Sequence, residues 1–184
     1  HACSRRGNVI IEEYLDGQEV SVEVMVVDGE INILQITDKL TTGAPYFVEM
    51  GHSQPSRLDK DVQLQIKDVA ERACKAIGIN KGPAHVEMKV TSQNGPKMIE
   101  LGARMGGDNI TTHLVPLSTG IDMVESTIKI ALGEEPNITP SLNSGSAIRY
   151  FEVPFGKIKS IENVEEALKI KTDSQNECRE RRAE

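Results

Sequence analysis

The sequence predicts an α+β chain built on antiparallel strands, and three observations carry that prediction. Residues 19–27 alternate valine with other residues, the period-two signature of a half-buried strand. The turn pairs Asp28-Gly29 and Asn94-Gly95 join neighbouring strand-like runs directly, where parallel pairing would need long crossovers. Runs of helical period fall irregularly between strand pairs instead of alternating with single strands. Composition agrees: 184 residues with 38% hydrophobic and 27% charged side chains can bury a core, which excludes a disordered or membrane-spanning class. No apolar run reaches the ~18–20 residues of a membrane span, and His1-Ala2-Cys3-Ser4-Arg5-Arg6 is not followed by the hydrophobic stretch of a signal peptide. Lys plus Arg total 21 against 28 for Asp plus Glu, a net charge of -7. That removes a global basic footprint for nucleic acid but leaves room for a local anion site. Cys3, Cys74 and Cys178 are odd in number and widely spaced, as expected of a cytoplasmic chain in a reducing compartment.

In chain order, Val9-Ile10-Ile11 is a short strand-like run. Val20, Val22, Val24 and Val26 share one face of the next strand, and Asp28-Gly29 turns the chain into residues 31–37. Residues 38–57 contain Gly43, Pro45, Gly51 and Pro55 and are expected to form a long loop carrying Tyr46, Phe47 and His52. From Asp59 the period changes: Val62, Ile66, Val69, Ala73 and Ile77 mark a helix that Gly78 caps. Strands at 84–91 and 97–102 follow. Ile121, Val124, Ile128 and Leu132 then mark a second helix, ended by Gly133 and Pro136. Residues 146–153 and 157–161 are expected to be a strand pair interrupted by Pro154 and Gly156, and Asn163 with Glu166 suggests a capping box opening a last helix. Residues 171–184 form a polar tail, either solvated or a basic recognition segment through Arg179, Arg181 and Arg182.

The hairpin at 84–102 carries the densest chemistry. With Asn94-Gly95 as a two-residue turn, Glu87 faces Gly102 and Lys89 faces Glu100. His85, Glu87, Lys89, Glu100, Gly102 and Arg104 then share one face. Val86, Met88, Val90, Ile99 and Leu101 share the other. Glu87 and Glu100 become diagonal neighbours, and at ~6 Å and an effective dielectric of ~20 their repulsion is ~3 kcal/mol. A divalent hard cation would offset it, as Mg²⁺ does between carboxylates and phosphates. An ordinary Lys89–Glu100 ion pair is the structural alternative. The glycines of Gly102-Ala103-Arg104-Met105-Gly106-Gly107-Asp108 would let backbone approach a phosphate, with Arg104 as its cationic partner.

Three ordered motifs resemble the ATP-grasp superfamily. Val9-Ile10-Ile11-Glu12-Glu13-Tyr14-Leu15-Asp16-Gly17 followed by Glu19-Val20-Ser21-Val22-Glu23 resembles its hinge. His85-Val86-Glu87 and Ile99-Glu100-Leu101-Gly102-Ala103-Arg104 resemble its metal-binding strands. The likeness runs from about residue 8 to 168. Thr42-Gly43-Ala44-Pro45-Tyr46-Phe47-Val48-Glu49-Met50-Gly51-His52 is most similar to the amino-acid ligase branch, alongside carbamoyl-phosphate-synthetase-like and phosphoribosylglycinamide-synthetase-like proteins.

The resemblance implies the ATP-grasp fold, with its N-terminal lobe incomplete. Residues 1–37 would be the end of the small lobe and the hinge, and 38–170 the large lobe. It implies Glu12, Glu13 and Leu15 along the adenine edge, Glu19 at the ribose and Lys39 towards the nucleotide. Glu87 and Glu100 would hold Mg²⁺ or Mn²⁺, Arg104 would clamp the transferring phosphoryl group, and Glu49 and His52 would line an amino substrate. The implied activity is ATP-dependent joining of a small carboxylate to a small amine through an acyl phosphate. A carbamoyl-phosphate or glycinamide-ribonucleotide synthetase-like enzyme and a non-catalytic nucleotide-binding module are the alternatives. No nucleic-acid or membrane partner is expected; a homo-oligomer is left open. Gly102 stands where many members carry asparagine, and the family's upstream lysine and glycine-rich loop do not occur in this sequence. The chain as given is therefore expected to be a piece of a longer enzyme that folds without turning over ATP.

Overall fold

The structure, a computed structural model, describes residues 7–153 and 156–169. Cys3, Cys178, Pro154 and the tail at 171–184 lie outside the described residues. Six strands form one sheet: β1 (Gln18–Val27), β2 (Glu30–Thr41), β3 (Glu49–Gln54), β4 (Gly82–Thr91), β5 (Gly95–Gly102) and β6 (Ser146–Arg149). Their order is β5-β4-β1-β2-β3-β6, and every neighbouring pair is antiparallel. The α+β expectation with an antiparallel sheet and flanking helices therefore holds.

One face of the sheet packs on α1 (Lys60–Ile77). Val20, Val22, Val24 and Val26 of β1 meet Ala84, Val86 and Met88 of β4 and Ile66, Ala70 and Cys74 of α1, all fully buried. Gly78 ends α1 in the left-handed conformation, with backbone N–H bonds running back to its last turn. Ile77, expected on the buried stripe, is exposed. A register shift between Glu23 and Val24 makes Leu34 the extra residue of β2. Ile36, Ile33 and Ile31 consequently face α1, while Leu34 joins a second cluster of Met25, Val115, Ile121 and Met123 on the opposite face.

Several expectations are corrected. The supposed loop at 38–57 contains the end of β2 and all of β3, because Thr41 pairs with Glu49 and Asp38 with Ser53 across a short excursion. A π-helical turn at Ile110–Leu114 runs into α2 (Val115–Thr119), neither expected from the sequence. Helix α3 (Met123–Leu132) starts where the Asp122 carboxylate accepts the Glu125 N–H. Its inward residues are Met123, Ser126 and Ile130, whereas Ile128 and Leu132 are exposed. The strand expected at 146–153 stops at Arg149, and no strand occurs at 157–161. By contact density the chain separates into residues 1–151 and 152–184. Within the second unit α4 (Val164–Lys169) follows Asn163 at φ 62°, which is not the extended residue of a capping box.

Candidate functional site

The same alternation that sends the β1 valines to α1 sends Glu19, Ser21 and Glu23 to the opposite face. Pairing sets Glu19 opposite Lys89, Ser21 between Glu87 and Thr37, and Glu23 opposite His85. On the other side of β2, Lys39 lies opposite His52 of β3. A charged stripe therefore crosses the middle of the sheet.

Lys39 is its hub. Its side chain is 2% exposed, and Nζ lies 2.6 Å from Glu49 Oε1, 2.8 Å from Glu87 Oε2 and 3.5 Å from Glu19 Oε1. Burial disfavours the Lys39 charge, but bonds to Glu49 and Glu87 outweigh it and hold the ammonium above its ordinary range. The hydrogen bond with His85, joined by Lys39 and opposed by burial, brings the Glu87 carboxyl down to about 2. Burial likewise disfavours His85⁺, yet bonds to Glu23 and Glu87 raise it to about 9.

Glu87 and Glu100 are direct cross-strand partners, which corrects the expected pairing of Glu87 with Gly102. Thr91 pairs with Gly95, so the hairpin loop holds Ser92, Gln93 and Asn94. A register shift between Glu87 and Met88 inserts Ile99 as an extra residue of β5 and returns Glu100 to the face of Glu87. His85 faces Gly102 and Lys89 faces Lys97, so the expected Lys89–Glu100 pair does not form. Lys89 instead reaches Glu19 at 3.7 Å and lies 4.6 Å above the Phe47 ring. Arg104 pairs with Glu100 at 3.5 Å and donates to the Met105 carbonyl, with more than half of its side chain in solvent.

On the β3 side, His52 is fully buried. Nε2 lies 3.4 Å from Glu49 Oε2 and 3.6 Å from Asp108 Oδ2, and neither ring nitrogen makes a hydrogen bond among the described residues. Burial lowers its pKa, with Lys39 adding to the effect and Glu49 and Asp108 opposing it. The Tyr150 ring stands edge-on at 6.3 Å. The segment before β1 has no regular structure: Glu12 and Glu13 are exposed, Leu15 is half-buried, Lys97 reaches Glu13 at 3.1 Å, and Tyr14 packs near Phe47.

The structure thus gathers Glu19, Lys39, Glu49, His52 and Glu87, and pairs Glu100 with Arg104 on the open side. The sequence reading gave no role to Glu23, His85 or Asp108. Strand alternation was the signal available for the first two: Glu23 shares the parity of Glu19, and His85 that of Glu87.

Carboxylate oxygens of Glu19, Glu49 and Glu87 lie within 4.8 Å of one another, as do ligand atoms of Glu49, His52 and Asp108. Glu87 and Glu100 add a facing pair of hard oxygen donors, chemistry that fits a divalent cation on the open side. Buried His52 stands beside this cluster, with Nε2 close to both Glu49 and Asp108.

The sheet thus carries an apolar cluster on the α1 face and a charged stripe on the other, beside the glycine-rich turn after β5. A family model described as an ATP-grasp domain matches residues 1–113, and the chain belongs to that family. Carnosine synthase 1 of Gallus gallus is 32% identical over 72% of this chain and 14% of its own length. The L-arginine-specific L-amino acid ligase of Bacillus subtilis is 27% identical over 88% of this chain and 39% of its own. Among solved structures, an L-amino acid ligase from Bacillus licheniformis superposes with a TM-score of 0.75 at 28% identity, covering 84% of this chain and 40% of that one. Phosphoribosylglycinamide synthetase from Anaerococcus prevotii shares the fold, with a TM-score of 0.67 at 23% identity over 74% of this chain and 35% of that one. The relatives thus include amino-acid ligases, and the chain spans well under half the length of each. No helix among the described residues is long and apolar enough to cross a membrane.

Proposed function

We propose that this chain is the ATP- and metal-binding portion of a ligase that joins a small carboxylate to a small amine, one of them an amino acid. What supports this most is the placement of Lys39, whose ammonium ties Glu19 of β1 to a candidate metal ligand, Glu87, and to Glu49 of β3. The substrate carboxylate oxygen attacks the γ-phosphorus of ATP, the bond to ADP breaks, and an acyl phosphate forms. The amine nitrogen then attacks the acyl carbon, loses a proton and expels phosphate.

Glu87 and Glu100 would hold Mg²⁺, which supplies charge neutralisation for the phosphates when bound. Arg104, on the same open side, faces the transferring phosphoryl group. Glu12, Glu13 and Leu15 line the base and Glu19 the ribose, so residues 1–37 serve the hinge and 38–170 carry the phosphate and substrate walls. Lys39 orients the carboxylates around it. Neutral His52, with Glu49, receives the amine. Turnover belongs to the longer protein, which we place in the cytoplasm with its ATP.

The test is an ADP-release assay on the intact protein over a panel of amino acids, with amide products identified by mass. His52→Ala should impair amine-dependent product formation more than ATP affinity. Equal losses in both would make His52 a structural residue, and ADP release without any amide would refute the ligase.

A further inference from the structure

We infer that Glu23 and His85, buried beneath Gly106, are positioning residues that fix the Glu87 carboxylate for metal binding. This rests on Glu87 being a metal ligand, as proposed above. Glu23 is fully buried and His85 is 3% exposed. His85 Nδ1 lies 2.8 and 3.0 Å from the two Glu23 oxygens, and Nε2 lies 3.1 Å from Glu87 Oε1. The imidazole is therefore held between the two carboxylates, one ring nitrogen on each. Ser21 Oγ donates to Glu23 Oε1 at 3.1 Å, which fixes the far end of the relay.

Glu87 is thereby held at both oxygens, Oε1 by His85 and Oε2 by Lys39. Each oxygen retains acceptor capacity, so the group is oriented without being used up. A glutamate otherwise loses side-chain freedom when it is pinned by a ligand. Here that cost is met during folding.

Gly106 seals the relay. A Cβ there would lie 2.7 Å from His85 Nδ1 and 2.8 Å from Glu23 Oε2, too close for any side chain without displacing one of them. The Thr111 hydroxyl, bonded to the Gly106 carbonyl at 3.0 Å, holds this backbone in place. Packing alone would not select such an arrangement, since apolar residues of similar volume are often as stabilising as a buried ion pair.

The test uses the intact protein with Mn²⁺ as the probe, its free-ion paramagnetic resonance signal followed in the presence of ADP. Glu23→Gln, His85→Leu and Gly106→Ala should each weaken Mn²⁺ binding by about 10–100-fold, the usual effect of losing a residue that orients a metal ligand. ADP affinity without metal should not change, and His85→Gln, which keeps one donor, should fall between parent and His85→Leu. Parental Mn²⁺ affinity in folded variants, or equal loss of metal-free ADP binding, would overturn the inference. If His85→Leu fails to unfold cooperatively, Glu23→Gln and Gly106→Ala decide. Failure of the parent itself to bind Mn²⁺ would refute Glu87 as a ligand and the relay with it.

Discussion

Lys39 shows what a single residue can hold together. It is the central cation among Glu19, Glu49 and Glu87, and removing it leaves three carboxylates facing one another. Lys39→Met is expected to destabilise the fold by about 3 kcal/mol, the lower end for breaking a buried pair because its partners are partly solvated. Urea unfolding at neutral pH checks this. A second expectation concerns pH. The raised pKa of His85 gives a contribution that is complete below its ordinary 6.5 and lost as pH rises through about 9. The depressed pKa of Glu87 gives one that is complete above 4.5 and lost as pH falls through about 2. His52, lowered by burial, works against folding as pH falls below 6.5. Unfolding free energy measured across pH should therefore decline on the alkaline side in the parent and lose that limb in His85→Gln. At this scale Glu19, Glu49, His52 and Glu87 could be picked from the sequence. The inward position of Lys39 could not, because Asp38-Lys39 looked like part of a loop until β2 was seen to extend to Thr41.

Among the elements, those that bury a regular stripe were legible and those set by long-range pairing were not. α1 was plain from its period, and Ile66, fully buried, is its centre; Ile66→Ala should cost about 3 kcal/mol in urea unfolding. β3 was hidden because Gly51 and Pro55 read as loop residues, although the pairing with β2 and β6 imposes the strand. The β4–β5 hairpin shows both outcomes at once. The shared face of Glu87 and Glu100 was legible, but the register was not, since a bulge at Ile99 leaves no mark in an alternating pattern. The start of β1 depends on Gly17, at φ 133°, where a Cβ would lie 2.1 Å from the Val90 carbonyl oxygen. Gly17→Ala is expected to lower stability by about 1–3 kcal/mol, by the same measurement, through strain at the β1–β4 seam.

At the scale of the molecule, the sheet divides the labour between its faces. The α1 face carries a continuous apolar cluster that secures the register of β1, β2 and β4. The opposite face can then hold ionised groups whose mutual repulsion would be intolerable on an unsupported sheet. The glycine-rich turn after β5 lies against this charged face through Gly106, which places Arg104 and Glu100 at its open edge. The proposed function requires this face to bind ATP through a divalent cation. Calorimetric titration of ATP into the intact protein, with and without Mg²⁺, tests it most directly when repeated on Glu87→Gln and Glu100→Gln. Mg²⁺ should tighten ATP binding in the parent, and each substitution should remove most of that gain; Glu87→Gln should also lower thermal stability, because it breaks the pairs with Lys39 and His85, whereas the exposed Glu100→Gln should leave it nearly unchanged. Equal ATP affinity with and without Mg²⁺ in the parent, or a full Mg²⁺ gain in both variants, would contradict it.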